Sequence, residues 1–342
     1  MESSKNIFSA LPYQSKILST GMYVPKKIVT NNDLSKIVET NDAWIKERTG
    51  ISERRICSTE GGEFPTDMAK YATEAALKEA NLAANDLDMI IFASVTPDYK
   101  LPNSSTVLQT KLGITNKCAC LDIAVACSGF VYGMTLANSL IQTGVMKKVL
   151  VVGSEMLSRE VDWSDRSICI LFGDGCGVAI IGRAEPDEQS RILSTTLGGD
   201  GSGKEFFDQP IGGAVFPIKA EHIESGQHFM RMKGGEMFKV ATRTLAQNAK
   251  KVITDAGLNL KDVDWLVPHQ ANIRIIETTG QILGIPPEKV IVNIQKYGNT
   301  SAATVPMAFH EAILEGKIKR GDTVLFDAFG AGLTSGAVLF IY

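Results

Sequence analysis

The stretch DIAVACSGFVYG (residues 122–133) sets Cys127 among small residues, where an apolar run gives way to a helical pattern. A thiol placed so is either a small buried apolar residue or a nucleophile at a helix N-terminus, where peptide dipoles favour the thiolate. Gly129 would let a substrate or a neighbouring helix come close. His269, one of four histidines, ends the strand-like VDWLVPH. It is either a hydrogen-bonded strand-end residue or a functional imidazole, and ligand sites in α/β proteins gather at strand ends. Asn299 lies in KYGNTSAATVP (residues 296–306) and reads as a turn, a cap or an amide donor, with Thr300 and Ser301 equally able to cap. The loop AFGAGLTSG (residues 328–336) suits a hairpin, or a backbone donor beside a reacting carbonyl. A strand rather than a helix follows it, so it is no dinucleotide fingerprint.

These residues sit on a duplicated plan. EAALKEANLAANDLDMIIFAS (from residue 74) aligns without gaps to KKVITDAGLNLKDVDWLVPHQ (from residue 250), an offset of 176 residues, as helix, polar turn and apolar strand. ACSGFVYGMTLANSLIQTG (from 126) aligns to GNTSAATVPMAFHEAILEG (from 298) at an offset of 172, each a small-residue turn, a helix and a closing glycine. KKVLVVGSE then matches GDTVLFDAF, and GDGCGVAII matches GLTSGAVLF. Four matches in one order imply a duplicated α/β unit, with halves at residues 1–185 and 186–342. Its strands are apolar on both faces, as in helix-covered sheets. The two sheets are expected to stack around shared central helices, and the polar segment 186–230 reads as the crossover. At the offset of 172, Cys127 becomes the pseudo-symmetric partner of Asn299, which would bring both side chains to a two-fold axis.

Composition narrows the class. The 342 residues are 44% hydrophobic and 21% charged, with net charge −3 and a pI near 5.9. That is a soluble globular balance, with no global case for nucleic acid or an anionic membrane. No apolar run reaches the ~20 residues of a membrane span, and MESSKNIFSALPYQSK lacks the pattern of a signal peptide. Six scattered cysteines without a CxxC pair point to a reducing, cytoplasmic setting, and away from disulfides or a cysteine-rich zinc site.

The motifs ETNDAWIKERTGI, DIAVACSGF, DRSICILFGDGCG, DWLVPHQANIR, YGNTSAA and FDAFGAG together resemble the thiolase superfamily, specifically ketoacyl-acyl-carrier-protein synthase III. The resemblance runs from about Lys16 to Tyr342. It implies a thiolase-like α/β fold, two duplicated halves in a five-layer αβαβα sandwich, assembled as a homodimer. It implies a catalytic Cys127–His269–Asn299 triad, with an oxyanion hole at the backbone of Cys127 and Ala331. It further implies coenzyme A contacts at Thr40, Trp44, Arg166 and Asn272, with Trp44 and Arg166 sandwiching adenine. An acyl pocket is implied at Leu101 (reaching in from the partner subunit), Leu171 and Phe172, and a carrier-protein patch at Lys239 and Arg274. The implied reaction joins an acyl-CoA primer to malonyl-acyl carrier protein, with coenzyme A as a thioester substrate and neither a metal nor a bound redox cofactor. An acyltransferase of secondary metabolism, taking a longer or branched primer, is the alternative.

Several positions depart from the pattern. Gln281 stands where some members carry lysine, Gly235 where some carry asparagine, and Ser335 where a tryptophan occurs. Leu101 replaces a phenylalanine, which suggests a roomier primer pocket. A degradative thiolase needs a second cysteine near the C-terminus, and none follows Cys176. A non-catalytic paralogue should have lost one of the three site residues. A redox sensor should expose its thiol, which the Ala and Val flanks of Cys127 argue against.

Overall fold

The structure, a computed structural model, describes residues 11–342; the reading of a missing leader falls largely on residues 1–10, outside that range. In chain order the strands are β1 (Gln14–Tyr23), β2 (Lys27–Thr30), β3 (Glu53–Ile56), β4 (Met89–Ala93), β5 (Ala119–Ile123), β6 (Lys148–Met156), β7 (Asp174–Ala184), β8 (Arg191–Gly198), β9 (Phe207–Asp208), β10 (Arg231–Met232), β11 (Trp265–Pro268), β12 (Thr323–Gly330) and β13 (Thr334–Ile341). The two large sheets have the orders β1-β7-β6-β4-β5 and β11-β12-β13-β8, while β2 pairs with β3 and β9 with β10.

The sheets carry the same pairings. β4 runs parallel to β6 as β11 does to β12. β6 and β7 are antiparallel, like β12 and β13, and β1 closes on β7 as β8 closes on β13. The place of β5 is reduced in the second sheet to a single parallel bridge, Leu266 to Val290. Helices Pro65–Glu79 and Ser104–Lys111 cover the outside of the first sheet, and Gly234–Asp255 with Ile273–Leu283 cover the second. Helices Gly129–Gln142 and Thr304–Leu314 lie between the sheets, completing a five-layer αβαβα sandwich.

The central layer is tight because its sequence is small where the layers touch. A Cβ added at Gly133 would come within 2.7 Å of Val151, and one at Gly153 within 2.3 Å of the Ala302 carbonyl oxygen. Larger side chains fill the space beyond: Phe309 meets Phe326, Phe340 and Tyr342 edge to face.

The offset of 176 persists in three dimensions. Helices end at Glu79 and Asp255, left-handed turns follow at Asn81 (φ 53°) and Gly257 (φ 71°), and 3₁₀ turns occupy Ala84–Asp86 and Leu260–Asp262. Asp88 accepts the amide of Lys148 just as Asp264 accepts that of Thr323.

Two expectations change. The central helices end at an offset of 172, at Gln142 and Leu314, but begin at an offset of 175, at Gly129 and Thr304. Ala126 (φ 47°) matches Ser301 (φ 49°), each opening a 3₁₀ turn. The structural counterpart of Cys127 is therefore Ala302, not Asn299, because the second helix is three residues shorter at its end. Segment 186–230 is also more than a crossover. It contains β8, the edge strand of the second sheet, whose half-exposed residues hide it among polar sequence.

Candidate active site

Cys127 occupies the 3₁₀ turn Ala126–Ser128 that leads into helix Gly129–Gln142. The left-handed Ala126 turns the chain sharply out of β5, and Gly129 lets the turn press on Ala93 and Ala302. The thiol is 5% exposed. Burial pushes its pKa up to about 12; the Ser301 hydroxyl works against that, and the charge of Glu155 adds to it. The thiolate expected from a helix N-terminus is thus outweighed by desolvation, and the free thiol keeps its proton.

His269 follows β11 and is anchored by its amide, which donates to the Asp327 carbonyl at 2.8 Å. Its Nδ1 is 2.7 Å from Thr304 Oγ1, and that hydroxyl donates its one proton to the Ser301 carbonyl at 3.0 Å. Nδ1 therefore carries the hydrogen, leaving the Nε2 lone pair free. Burial lowers the imidazole pKa to about 3, so the ring is neutral. Asn299 is held by its amide to the Leu171 carbonyl (2.8 Å), in a bridge beside Phe172. Its Oδ1 accepts from the Ser301 amide at 2.8 Å, which leaves the Nδ2 amino group as a donor.

All three side chains line one cavity of about 590 Å³, together with Leu171, Phe172, Phe207, Phe329 and Gly330. Arg48, Lys239 and Arg274, which also line it, are exposed and rim its open end. A neutral base, an amide donor and a protonated thiol at the closed end of an apolar channel suit acyl transfer through a covalent thioester.

The other expected residues divide. Leu171, Phe172, Trp44, Asn272, Lys239 and Arg274 line the cavity; Thr40, Arg166, Leu101 and Ala331 do not. Asn272 has structural duties as well: Oδ1 caps the next helix at the Arg274 amide and Nδ2 donates to the Arg48 carbonyl. Thr40 keeps a buried hydroxyl without a partner. Arg166 donates to the Glu39 carbonyl, and its guanidinium lies 5.2 Å from the Trp44 ring centroid, with Arg48 also on that ring, at 4.6 Å. A planar ring between Trp44 and Arg166 needs roughly 7 Å, two contact distances, so the expected sandwich requires the guanidinium to move. Leu101 is 86% exposed on the loop after β4, outside this chain's own cavity. Gly330, rather than the following Ala331, is the lining residue against Cys127, and a Cβ there would come within 2.8 Å of the Cys127 amide nitrogen.

Among the departures, Gly235 lines the cavity with open space where a side chain would project, which widens it. Gln281 is exposed on helix Ile273–Leu283. Ser335 is buried on β13, and nothing in the structure explains it. Sequence reasoning missed Thr304, Arg48 and Phe207, and took Ser301 only as a cap. Thr304 and Ser301 sit inside the quoted motif around Asn299, but nothing in their spacing announces a bond to His269.

Comparison with known proteins places the chain in a family. Residues 121–201 match the family 3-oxoacyl-[acyl-carrier-protein (ACP)] synthase III, and residues 253–342 match its C-terminal part. The chain is 47% identical to a beta-ketoacyl-[acyl-carrier-protein] synthase III of Aquifex aeolicus over 96% of this chain and 99% of that one. It is 46% identical to one from Caldanaerobacter subterraneus, over 93% and 95%. A crystal structure of the Aquifex aeolicus 3-oxoacyl-[acyl-carrier-protein] synthase III superposes with a TM-score of 0.88 at 46% identity, covering 96% of this chain and all of that one. The priming beta-ketosynthase of the R1128 polyketide pathway superposes with a TM-score of 0.88 at 30% identity, covering 96% of each. With a cysteine, a histidine and an asparagine meeting in one cavity and relatives aligned along nearly its whole length, the chain belongs to the 3-oxoacyl-[acyl-carrier-protein] synthase III family of acyl-transferring condensing enzymes.

Proposed function

We propose that the chain joins a short acyl-CoA to malonyl-acyl carrier protein by decarboxylative Claisen condensation, yielding a 3-ketoacyl-carrier protein at the start of fatty-acid synthesis. The observation that carries this reading is the meeting of Cys127, His269 and Asn299 at the closed end of a single channel rimmed by cations. The Cys127 proton passes to His269 Nε2 as sulfur attacks the thioester carbonyl. The backbone amides of Cys127 and Ala331 hold the oxyanion until coenzyme A leaves with the proton. The malonyl thioester then occupies the channel and loses CO₂. The resulting enolate oxygen is held by the Asn299 amide and by His269, whose proton moves to Nε2 as the Thr304 hydroxyl turns toward Nδ1. The enolate carbon attacks the acyl-cysteine, and the Cys127 sulfur leaves and takes up one proton from solvent.

Trp44, Arg48, Arg166 and Asn272 receive the coenzyme A end in this reading, with Thr40 nearby. Lys239 and Arg274 receive the acidic carrier protein. Coenzyme A enters as substrate, and neither a metal nor a redox cofactor is called for. The free edge of β5, with exposed Leu121 and the neighbouring Val95, Tyr99 and Leu101, supports a homodimer in which Leu101 reaches the partner's acyl pocket. A cytoplasmic setting accords with six free cysteines. The R1128 relative, a priming beta-ketosynthase of a polyketide pathway, makes a condensing enzyme of secondary metabolism with a longer or branched primer the second reading.

The test supplies C2 to C8 acyl-CoAs with malonyl-acyl carrier protein and measures products. A 3-ketoacyl-carrier protein with one CO₂ per condensation, lost in Asn299→Ala, is expected. Decarboxylation without carbon–carbon bond formation for every primer would contradict the proposal.

A further inference from the structure

Arg54, on β3, is the largest fully buried side chain among the described residues, and the condensation gives it no part. Its Nη1 donates to Asn31 Oδ1 at 2.8 Å and to the Val29 carbonyl at 3.3 Å, and its Nη2 donates to the Ile170 carbonyl at 2.8 Å. Among the described residues no carboxylate pairs with it; the adjacent Glu53 turns to Arg55 instead. Burial lowers its pKa to about 10, so the guanidinium is still charged at neutral pH. An apolar side chain would fill this volume without stripping water from a cation. What the guanidinium adds is a rigid fork whose donors reach three stretches of chain at once.

One of those stretches carries part of the active site. Ile170 immediately precedes Leu171 and Phe172, and all three line the channel. The Leu171 carbonyl accepts the Asn299 amide at 2.8 Å, and the Gly173 amide donates to the Asn299 carbonyl at 3.1 Å. The Arg54 stem lies against this bridge: a Cβ added at Gly173 would come within 3.1 Å of Arg54 Cβ, and one at Gly298 within 3.7 Å. The approach to Asn299 is tied to the same region, since the Ser52 amide, just before β3, donates to the Gln295 carbonyl at 3.0 Å. Asn31 is itself fixed, its Nδ2 donating to the Ile51 carbonyl at 2.7 Å and to Asp42 Oδ1 at 3.0 Å. Cys127 and His269 are held elsewhere, by the turn after β5 and by the Asp327 carbonyl.

We propose that Arg54 is a positioning residue that sets Asn299 for the condensation step, by fixing the segment 170–173 to which Asn299 is bonded. This rests on Asn299 holding the enolate in the condensation. Acyl transfer to Cys127 does not use that amide, so Arg54 matters to the second half-reaction and little to the first. A shift of Asn299 by about 1 Å is enough to slow its step by up to about 100-fold.

The experiment separates the two half-reactions in the full-length protein. Loading is followed by intact-protein mass spectrometry with acyl-CoA alone. Condensation is followed by mixing preloaded acyl-enzyme with malonyl-acyl carrier protein. Arg54→Lys keeps the charge but puts a single nitrogen in place of the fork. It should load close to the wild-type rate and condense roughly 10–100-fold more slowly, a weaker copy of the Asn299→Ala profile. Equal slowing of both half-reactions, or an unaltered condensation rate, overturns the proposal. If Arg54→Lys fails to fold, Asn31→Ala serves instead, removing one of the three acceptors and leaving the guanidinium in place. The same selective loss of condensation is expected there, and a loss shared with loading, or none, overturns the proposal. An Asn299→Ala enzyme that condenses at the full rate would refute the enolate role of Asn299 itself, and this proposal with it.

Discussion

At Cys127 two effects oppose each other, and their sizes decide between them. A helix N-terminus favours an anion by about 0.3–1 kcal/mol, rising to ~2 in partly buried cases. Burial instead moves the thiol from 9.0 to about 12, which is on the order of 4 kcal/mol against the thiolate. On the proposed mechanism Cys127 therefore needs His269 as its base, and that base needs a fixed ring. Thr304 supplies that, accepting from Nδ1 while donating to the Ser301 carbonyl. Thr304→Val should slow condensation by roughly 10–100-fold, below the ~10²–10⁴-fold of a positioned acid or base because Thr304 only orients the ring, with little change in KM for acyl-CoA. Thr304→Ser should restore the rate; equal rates for the two variants would mean that Thr304 does not set the ring. Cys127, His269 and Asn299 were legible because each stands inside a distinctive motif. Thr304 and Arg54 were not, since a β-branched residue in a helix and an arginine in a short strand have ordinary local explanations.

Among the elements, the central layer carries the most information. The first repeat was readable because helix, turn and strand keep one spacing in both halves, down to the paired aspartates Asp88 and Asp264. The second misled by three residues: an ungapped alignment follows the helix ends and misplaces their starts, pairing Cys127 with Asn299. The two residues do line the same cavity, but through the Leu171 carbonyl that anchors Asn299 rather than through symmetry. β8 escaped notice because an edge strand with one wet face lacks the apolar run of its neighbours. Close approach explains the small residues between layers and gives a sharp contrast. Gly153→Ala would drive a Cβ to 2.3 Å from the Ala302 carbonyl oxygen, whereas Gly235→Ala meets nothing within 4 Å. The first should cost about 1–3 kcal/mol in urea unfolding, and the second should cost nothing, because alanine favours a helix over glycine. Equal stability of the two variants would remove the packing argument.

The whole molecule sorts its charge by place. It is weakly acidic, at −3 overall, yet Arg48, Lys239 and Arg274 gather at the open end of an otherwise apolar channel. That contrast suits substrates with an anionic handle and a neutral acyl end. The channel was predictable as a feature of the resemblance, but its shape was not. Whether Arg166 lies on Trp44 or swings clear, and whether Leu101 faces solvent or a second chain, depends on rotamers and neighbours far apart in sequence. The widening at Gly235, by contrast, follows from the missing side chain once the helix is placed.

The central claim is that Cys127 takes the acyl group from a coenzyme A thioester. Intact-protein mass spectrometry of wild type and Cys127→Ser, mixed with acyl-CoAs of increasing length and no malonyl donor, tests it most directly. The account predicts a gain of one acyl mass in wild type alone, with coenzyme A released and loading falling off as the acyl chain lengthens. No gain with any acyl-CoA, or an equal gain in Cys127→Ser, would contradict it.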